Sequence, residues 1–152
     1  MAIAFDEFDL KIIRKLDQDG RIPYSQIAED LGISNTMVHK RVAKLLEKGV
    51  IQHISPVFEE RLLGYGYGTF TGIVVDKESR TQEVIENLRK IPEVTACHYI
   101  VGPYSLYIRI FAKDQEDLRR ILYDEIDNID GVLRTESMID LGCAFKRNIL
   151  FQ

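Results

Sequence analysis

Residues 21–51 read RIPYSQIAEDLGISNTMVHKRVAKLLEKGVI, and this stretch decides the architecture of the first third of the chain. Ile27, Ala28 and Leu31 mark an apolar stripe, and Gly32 follows the last of them, where a glycine commonly stops a helix. Ile33 fills the turn, and Ser34 is a good N-cap for the next helix. Val38, Val42, Leu45 and Leu46 recur at helical spacing and are expected to bury one face. The opposite face carries Thr36, Lys40, Ala43 and Lys44, flanked by Asn35, His39 and Arg41. A helix with a polar, basic outer face, docked through a glycine turn on a shorter helix, is the helix-turn-helix arrangement that reads DNA. The competing reading is an ordinary helical hairpin with a solvated face. The expected DNA contacts are Ser34, Asn35, Thr36, His39, Lys40, Arg41 and Lys44.

Working outward, Leu10, Ile13 and Leu16 lie on one face of a helix from about Glu7 to Asp17, with Ile12 beside them. Asp6 is its expected N-cap and Gly20 its break. The three helices make a unit of about 50 residues, too small for a comfortable core of its own, so it should lean on a partner or a second domain. Ser25, early in the second helix, is expected to cap it. The net charge of −4 looks wrong for a DNA binder until its distribution is read. Residues 34–48 set Lys40, Arg41, Lys44 and Lys48 against Glu47 alone, a local charge of +3. Such a body resists nonspecific collapse onto DNA while its basic helix still gains from counterion release.

The rest of the composition narrows the class. With 45% hydrophobic and 29% charged residues the chain is expected to fold as a soluble globular protein. No apolar run approaches the roughly 18 residues of a membrane span. The start, MAIAFDEFDLK, lacks the basic region of a secretory signal. Cys97 and Cys143 give neither a disulfide framework nor metal-ligand spacing, so a cytoplasmic location is expected.

Beyond Gly49, residues 50–58 are extended by composition, with Pro56 favouring an edge, and residues 59–64, EERLLG, suit a turn of helix. From Tyr65 the period changes. Tyr67, Thr69, Thr71, Ile73 and Val75 alternate as a strand. A helix follows through Val84, Ile85, Leu88 and Ile91, then a strand over Val94 to Val101, a turn at Gly102-Pro103, and a strand through Leu106, Ile108 and Ile110. Leu118, Ile121, Leu122, Ile126 and Ile129 mark another helix ended by Gly131, Val132 to Leu141 a fourth strand, and Asn148 to Phe151 a candidate fifth. The order β-α-β-β-α-β is the ferredoxin-like plan, so the fold class is α+β. That plan covers one sheet face with helices. The uncovered face should then be polar in a solitary domain, yet apolar residues stand on both sides of the first and third strands: Phe70 and Val74 opposite Ile73 and Val75, Tyr107 and Phe111 opposite Leu106 and Ile108. A second copy is the simplest cover.

Four segments in order resemble the Lrp/AsnC, or feast/famine, transcription regulators: FDEFDLKIIRKLDQDGRI, IAEDLGISNTMVHKRVAKLLEKGVI, VVDKESRTQEVIENLRKIPEVTACHYIVGPYSLYIRI and GVLRTESMIDL. The resemblance covers nearly the whole chain. It implies a winged-type helix-turn-helix DNA-binding domain over 1–50, a linker strand and turn over 51–64, and an effector-binding and oligomerisation domain over 65–152. It also implies double-stranded operator DNA as partner, homodimers that often assemble into octamers, and an amino acid or related small molecule as effector, held near the contact between dimers. The effector residues it points to are Gly102, Pro103, Tyr104 and Ser105, with Ser137 in the last strand. The family's loop usually ends in aspartate; Ser105 stands there instead, a hydroxyl that accepts a hydrogen bond but supplies no charge. Weak or altered amino-acid binding is the expectation.

Enzyme chemistry finds little support. There is no phosphate loop, nucleophile motif or metalloprotease pattern. His39, His53 and His98 fall on different elements, and no third ligand accompanies Cys97 and His98, so no metal or other cofactor is expected. Siroheme decarboxylases share the two-domain plan, but the segment GVIQHISPVF has His53 without the arginine cluster a tetrapyrrole's carboxylates need. The remaining alternative is an interaction module whose hairpin no longer binds DNA.

Overall fold

A computed structural model describes residues 5–149. The chain divides into two compact units, Met1–Phe58 with Lys146–Gln152, and Glu59–Phe145.

In the first unit, α1 (Glu7–Gln18), α2 (Tyr24–Leu31) and α3 (Asn35–Glu47) pack around Ile12, Ile27, Val38 and Val42, all essentially inaccessible. The sequence explains each boundary. Asp6 and Asp9 form a reciprocal capping box: Asp6 Oδ1 accepts from the Asp9 amide at 2.9 Å and Asp9 Oδ2 from the Asp6 amide at 3.4 Å. Gly32 ends α2 in the left-handed region at φ 64°, which returns the Ile33 amide to the Ala28 carbonyl at 3.0 Å. Ser34 Oγ then accepts from the Met37 amide at 3.2 Å and opens α3. Two expectations are corrected. Leu46 stays 40% exposed, because the apolar stripe runs through Val38, Val42 and Leu45 and Leu46 lies past its edge. Ser25 does not cap α2: Pro23 holds the N-cap position with no side-chain hydrogen bond, and Ser25 falls inside the helix.

In the second unit a 3₁₀ turn (Glu60–Leu63) leads into β1 (Tyr67–Val75), α4 (Thr81–Leu88), β2 (Val94–Tyr99), β3 (Leu106–Ala112), α5 (Gln115–Arg119) and β4 (Val132–Asp140). The sheet is antiparallel in the order β2-β3-β1-β4. The expected β-α-β-β-α-β order is present. After α5 the chain widens into a π-helical stretch, Arg120–Ile126, closed by an Asp127 amide to Leu122 carbonyl bond of 2.9 Å. Ile73, Leu106, Ile108 and Ile110 project from one sheet face onto Val84, Leu88, Ile121 and Ile126 of the helical layer, and all eight are at most 1% exposed. That burial is the main stabilisation of the unit.

The flanks differ from expectation. Residues 51–58 form no β-ladder with any described strand, and their side chains are mostly exposed. The second strand stops at Tyr99 rather than Val101, which is fully solvated. The tail from Lys146 groups with the first unit, where Asn148 Nδ2 donates to Asp17 Oδ1. Lys146 to Ile149 forms no strand, and the rest of the expected fifth strand lies outside the described residues.

Candidate nucleic-acid interface and ligand site

The outer face of α3 is built by subtraction. Val38, Val42 and Leu45 fix which side is buried, and that leaves Asn35, Thr36, His39, Lys40, Ala43 and Lys44 exposed together. Ser34, spent on the cap, sits at the same end. The His39 ring is held from the side: it meets that of Tyr24 edge to face, 4.7 Å between centroids at 73°. Arg41 is placed differently from its neighbours. Its Nη1 donates to Asp6 Oδ2 at 2.6 Å and to Asp9 Oδ1 at 2.7 Å, and its guanidinium lies 5.5 Å from the Phe8 ring centre. The two carboxylates, Asp9 foremost, hold the guanidinium above its ordinary pKa. Asp6 is held below the usual aspartate range, first by the Asp9 amide and then by Arg41.

The loop between β2 and β3 is the second candidate site. Its end is stitched to β1: the Ser105 amide donates to the Ile73 carbonyl at 2.8 Å, and Ser105 Oγ accepts from the Val75 amide at 3.2 Å. Pairing between β1 and β4 slips at Val74/Val75, so the serine hydroxyl serves an amide beside a register break. Tyr104 crosses to the sheet face away from the helices. It lies flat over Gly72, and its hydroxyl donates to Glu136 Oε2 at 2.8 Å, a bond that raises the phenol's pKa. Gly72 pairs with Glu136 across the β1–β4 ladder, which brings the carboxylate to the ring. Ser137 points to the helix side, where its hydroxyl is 2.8 Å from that of buried Thr71. It lines a hollow of about 580 Å³ with Leu122, Tyr123, Asp127 and Thr135. Ser105 borders a separate hollow of about 570 Å³ beside Glu78, Gln82 and Tyr99. Within one chain the five expected effector residues therefore do not converge, since Tyr104 and Ser137 face opposite sides of the sheet. Sequence reasoning missed Gly72, Thr71 and Glu136; strand register, which a single sequence does not print, is what joins them to the loop.

The helix-free sheet face carries an aromatic array. Phe70 stacks on Tyr107 at 5.9 Å and 11°, and Arg109 lies 5.2 Å from the Phe70 centroid and 4.6 Å from that of Phe111. Arg109 Nη2 bonds Asp140 at 3.0 Å. Cys97 pairs with Ile108 and faces the helices, whereas His98 pairs with Tyr107 and shares the open face. Among the described residues no three His, Cys, Asp or Glu side chains are grouped to hold a metal ion, and no helix is long and apolar enough to cross a membrane.

Comparison with known proteins bears on both sites. The profile of the winged helix-turn-helix DNA-binding domain matches residues 5–52, and that of the Lrp/AsnC ligand binding domain matches residues 69–147. The regulatory protein AsnC of Haemophilus influenzae is 32% identical over 144 residues, 95% of this chain and 96% of that protein. The transcriptional regulator FL11 of Pyrococcus horikoshii is 36% identical over 141 residues, 93% of this chain and 92% of its own. Among solved structures, Escherichia coli AsnC superposes with a TM-score of 0.89 at 28% identity, covering 97% of this chain and 99% of that one. The Mycobacterium tuberculosis feast or famine regulatory protein, complexed with L-methionine, matches with the same TM-score of 0.89, identity of 28% and coverage of 97% and 99%.

Proposed function

This chain belongs to the Lrp/AsnC family of helix-turn-helix transcription regulators, and from that premise we propose that it reads operator DNA through the outer face of α3 as a cytoplasmic homodimer tuned by an amino acid. The curated relatives are regulators, so the chain is a regulator and not a decarboxylase. The observation that carries the docking is the common exposure of Asn35, Thr36, His39, Lys40 and Lys44 on a helix whose other side is buried. Asn35, Thr36 and His39, in its first turns, are assigned to base edges and Lys40 and Lys44 to phosphates, with Ser34 presenting the helix start. Selection of duplexes from a random library tests this. The Thr36→Ala and His39→Ala variants should each lose preference at particular base pairs, at about 1–3 kcal/mol per good contact. One consensus shared by the wild type and both variants would remove these residues as readers.

The open sheet face supports the dimer, because Phe70, Tyr107 and Phe111 form an aromatic surface that a second sheet covers. The effector is assigned to the 102–105 loop. Because Gly102, Pro103, Tyr104, Ser105 and Ser137 do not converge in one chain, a second copy is needed to complete the enclosure. Ser105 is committed to the Val75 amide, so the charge facing an ammonium group is assigned to Glu136, the carboxylate that bonds the loop through Tyr104. Calorimetry with the twenty amino acids on wild type and Glu136→Gln tests this. Weak binding that Glu136→Gln weakens further supports the site, and equal binding by both removes Glu136 from it.

A further inference from the structure

Arg41 sits among the basic residues of the reading helix, yet its bonds to Asp6 and Asp9 and its contact with Phe8 all run back to the start of α1. We infer that Arg41 is a positioning residue, not a DNA contact: it locks α3 to the start of α1 through the Asp6–Asp9 capping box and so sets the angle at which the reading helix is presented. The inference rests on α3 being the DNA-reading helix.

The division of oxygens carries the argument. Each capping-box carboxylate has two oxygens and two obligations. Asp6 Oδ1 takes the Asp9 amide and Asp6 Oδ2 takes Arg41; Asp9 Oδ2 takes the Asp6 amide and Asp9 Oδ1 takes Arg41. The guanidinium thus closes a ring of four hydrogen bonds in which the helix cap and the inter-helix tie are one network. Its face rests against Phe8, and its Nε is buried with no partner among the described residues. Turning this side chain out to a phosphate would break both charge-assisted bonds and strand two carboxylates beside the DNA. The electrostatics agree. One guanidinium with two carboxylates is a cluster of net charge −1, so it offers no positive field to a phosphate and displaces no counterion condensed on the DNA. Lys40, Lys44 and Lys48, all exposed, then carry the basic face. Nη1 alone meets both acids, and a lysine at position 41 would be a poor substitute, because its nitrogen falls one bond short of the Nη1 position and an ammonium brings no planar face to lie against Phe8.

The test uses the full chain and a fluorescein-labelled duplex selected from a random library by the wild type, with binding followed by anisotropy over a series of salt concentrations. Failure of the wild type to select any duplex sinks the α3 docking itself, an outcome separate from any behaviour of the Arg41 variants. Lys44→Ala, a phosphate contact, should flatten the slope of log affinity against log salt by about 0.9. Arg41→Ala should weaken binding roughly three- to thirtyfold with the slope unchanged. Asp9→Asn should weaken binding as well, although it removes a negative charge from the DNA-facing unit, and the double variant should be little worse than either single one. Arg41→Lys, which keeps the charge and guards against loss of folding in Arg41→Ala, should bind nearly as weakly as Arg41→Ala. The inference is overturned if Arg41→Ala flattens the slope as Lys44→Ala does, if Asp9→Asn binds as well as or better than wild type, or if Arg41→Lys restores wild-type affinity.

Discussion

Gly72 is the position where one methyl group has the largest calculable consequence. A Cβ added there would stand 2.5 Å from Tyr104 Cγ and 2.6 Å from Cδ1 and Cδ2. Ordinary carbon contacts begin near about 3.5 Å, so the ring must retreat by roughly an ångström. It has no easy way to do so. The atom struck is the first of the ring, so rotation about the ring axis does not relieve the clash. The loop backbone behind it is tied to β1 by the Ser105 amide at 2.8 Å and by Ser105 Oγ at 3.2 Å. Gly72→Ala should therefore cost about 1–3 kcal/mol, the usual range for forcing volume into a filled site. It should also break the Tyr104–Glu136 hydrogen bond. For a unit under 100 residues that is a fall in melting temperature of roughly 5–20 °C. The assay is thermal denaturation by near-ultraviolet circular dichroism, which reports the tyrosines in a chain without tryptophan. The clash is with the ring, so the decisive sample is the pair of variants together. In a Tyr104→Ala background, Gly72→Ala should be close to neutral. If Gly72→Ala destabilises equally in both backgrounds, or not at all in wild type, the ring does not lean on the glycine.

Three further outcomes are expected. Ser105→Ala strands the amide of Val75, a residue only 8% exposed, and should cost about 1–3 kcal/mol in urea unfolding, whereas a role confined to the ligand would leave stability unchanged. Asp6, Asp30, Asp117 and Asp130 all have folded pKa values lowered from 3.8; groups of that kind contribute stability above the unfolded value and lose it as pH falls through the folded ones, so the urea midpoint should be nearly flat from about pH 7 to 5 and fall below about pH 4. Phe111→Glu places a charge in the aromatic face and should convert a dimer to a monomer in light scattering at micromolar concentration, while a wild type already monomeric would end the dimer proposal.

What the sequence made legible is what repeats or caps. The stripe Val38–Val42–Leu45, the glycine at 32 and the serine at 34 announce a helix, its turn and its cap, and each is found in that role. The alternation Leu106–Ile108–Ile110 announces a strand facing helices, and those side chains are the centre of the core. Illegible were contacts between residues whose spacing in the chain has no period. Helical spacing puts Lys40 opposite the buried stripe and Arg41 on its flank, but it does not say what a flanking cation meets; the arrival of Asp6 and Asp9, more than thirty positions earlier, ties Arg41 to the start of α1 and leaves Lys40 exposed. Likewise the step from an acid to Ser105 reads as a loss of charge from a ligand site. The fold shows the hydroxyl already employed on the Val75 amide, with a carboxylate returning to the loop from β4 as Glu136, opposite Gly72. Strand register thus brings a carboxylate to a loop whose own sequence has none, and a helix cap pairs a cation that its own sequence leaves without an acid. In this fold the surroundings of a cation on α3 and of the 102–105 loop are therefore properties of pairings between elements, and Asp9 and Glu136 belong to those surroundings as much as Arg41 and Ser105 do.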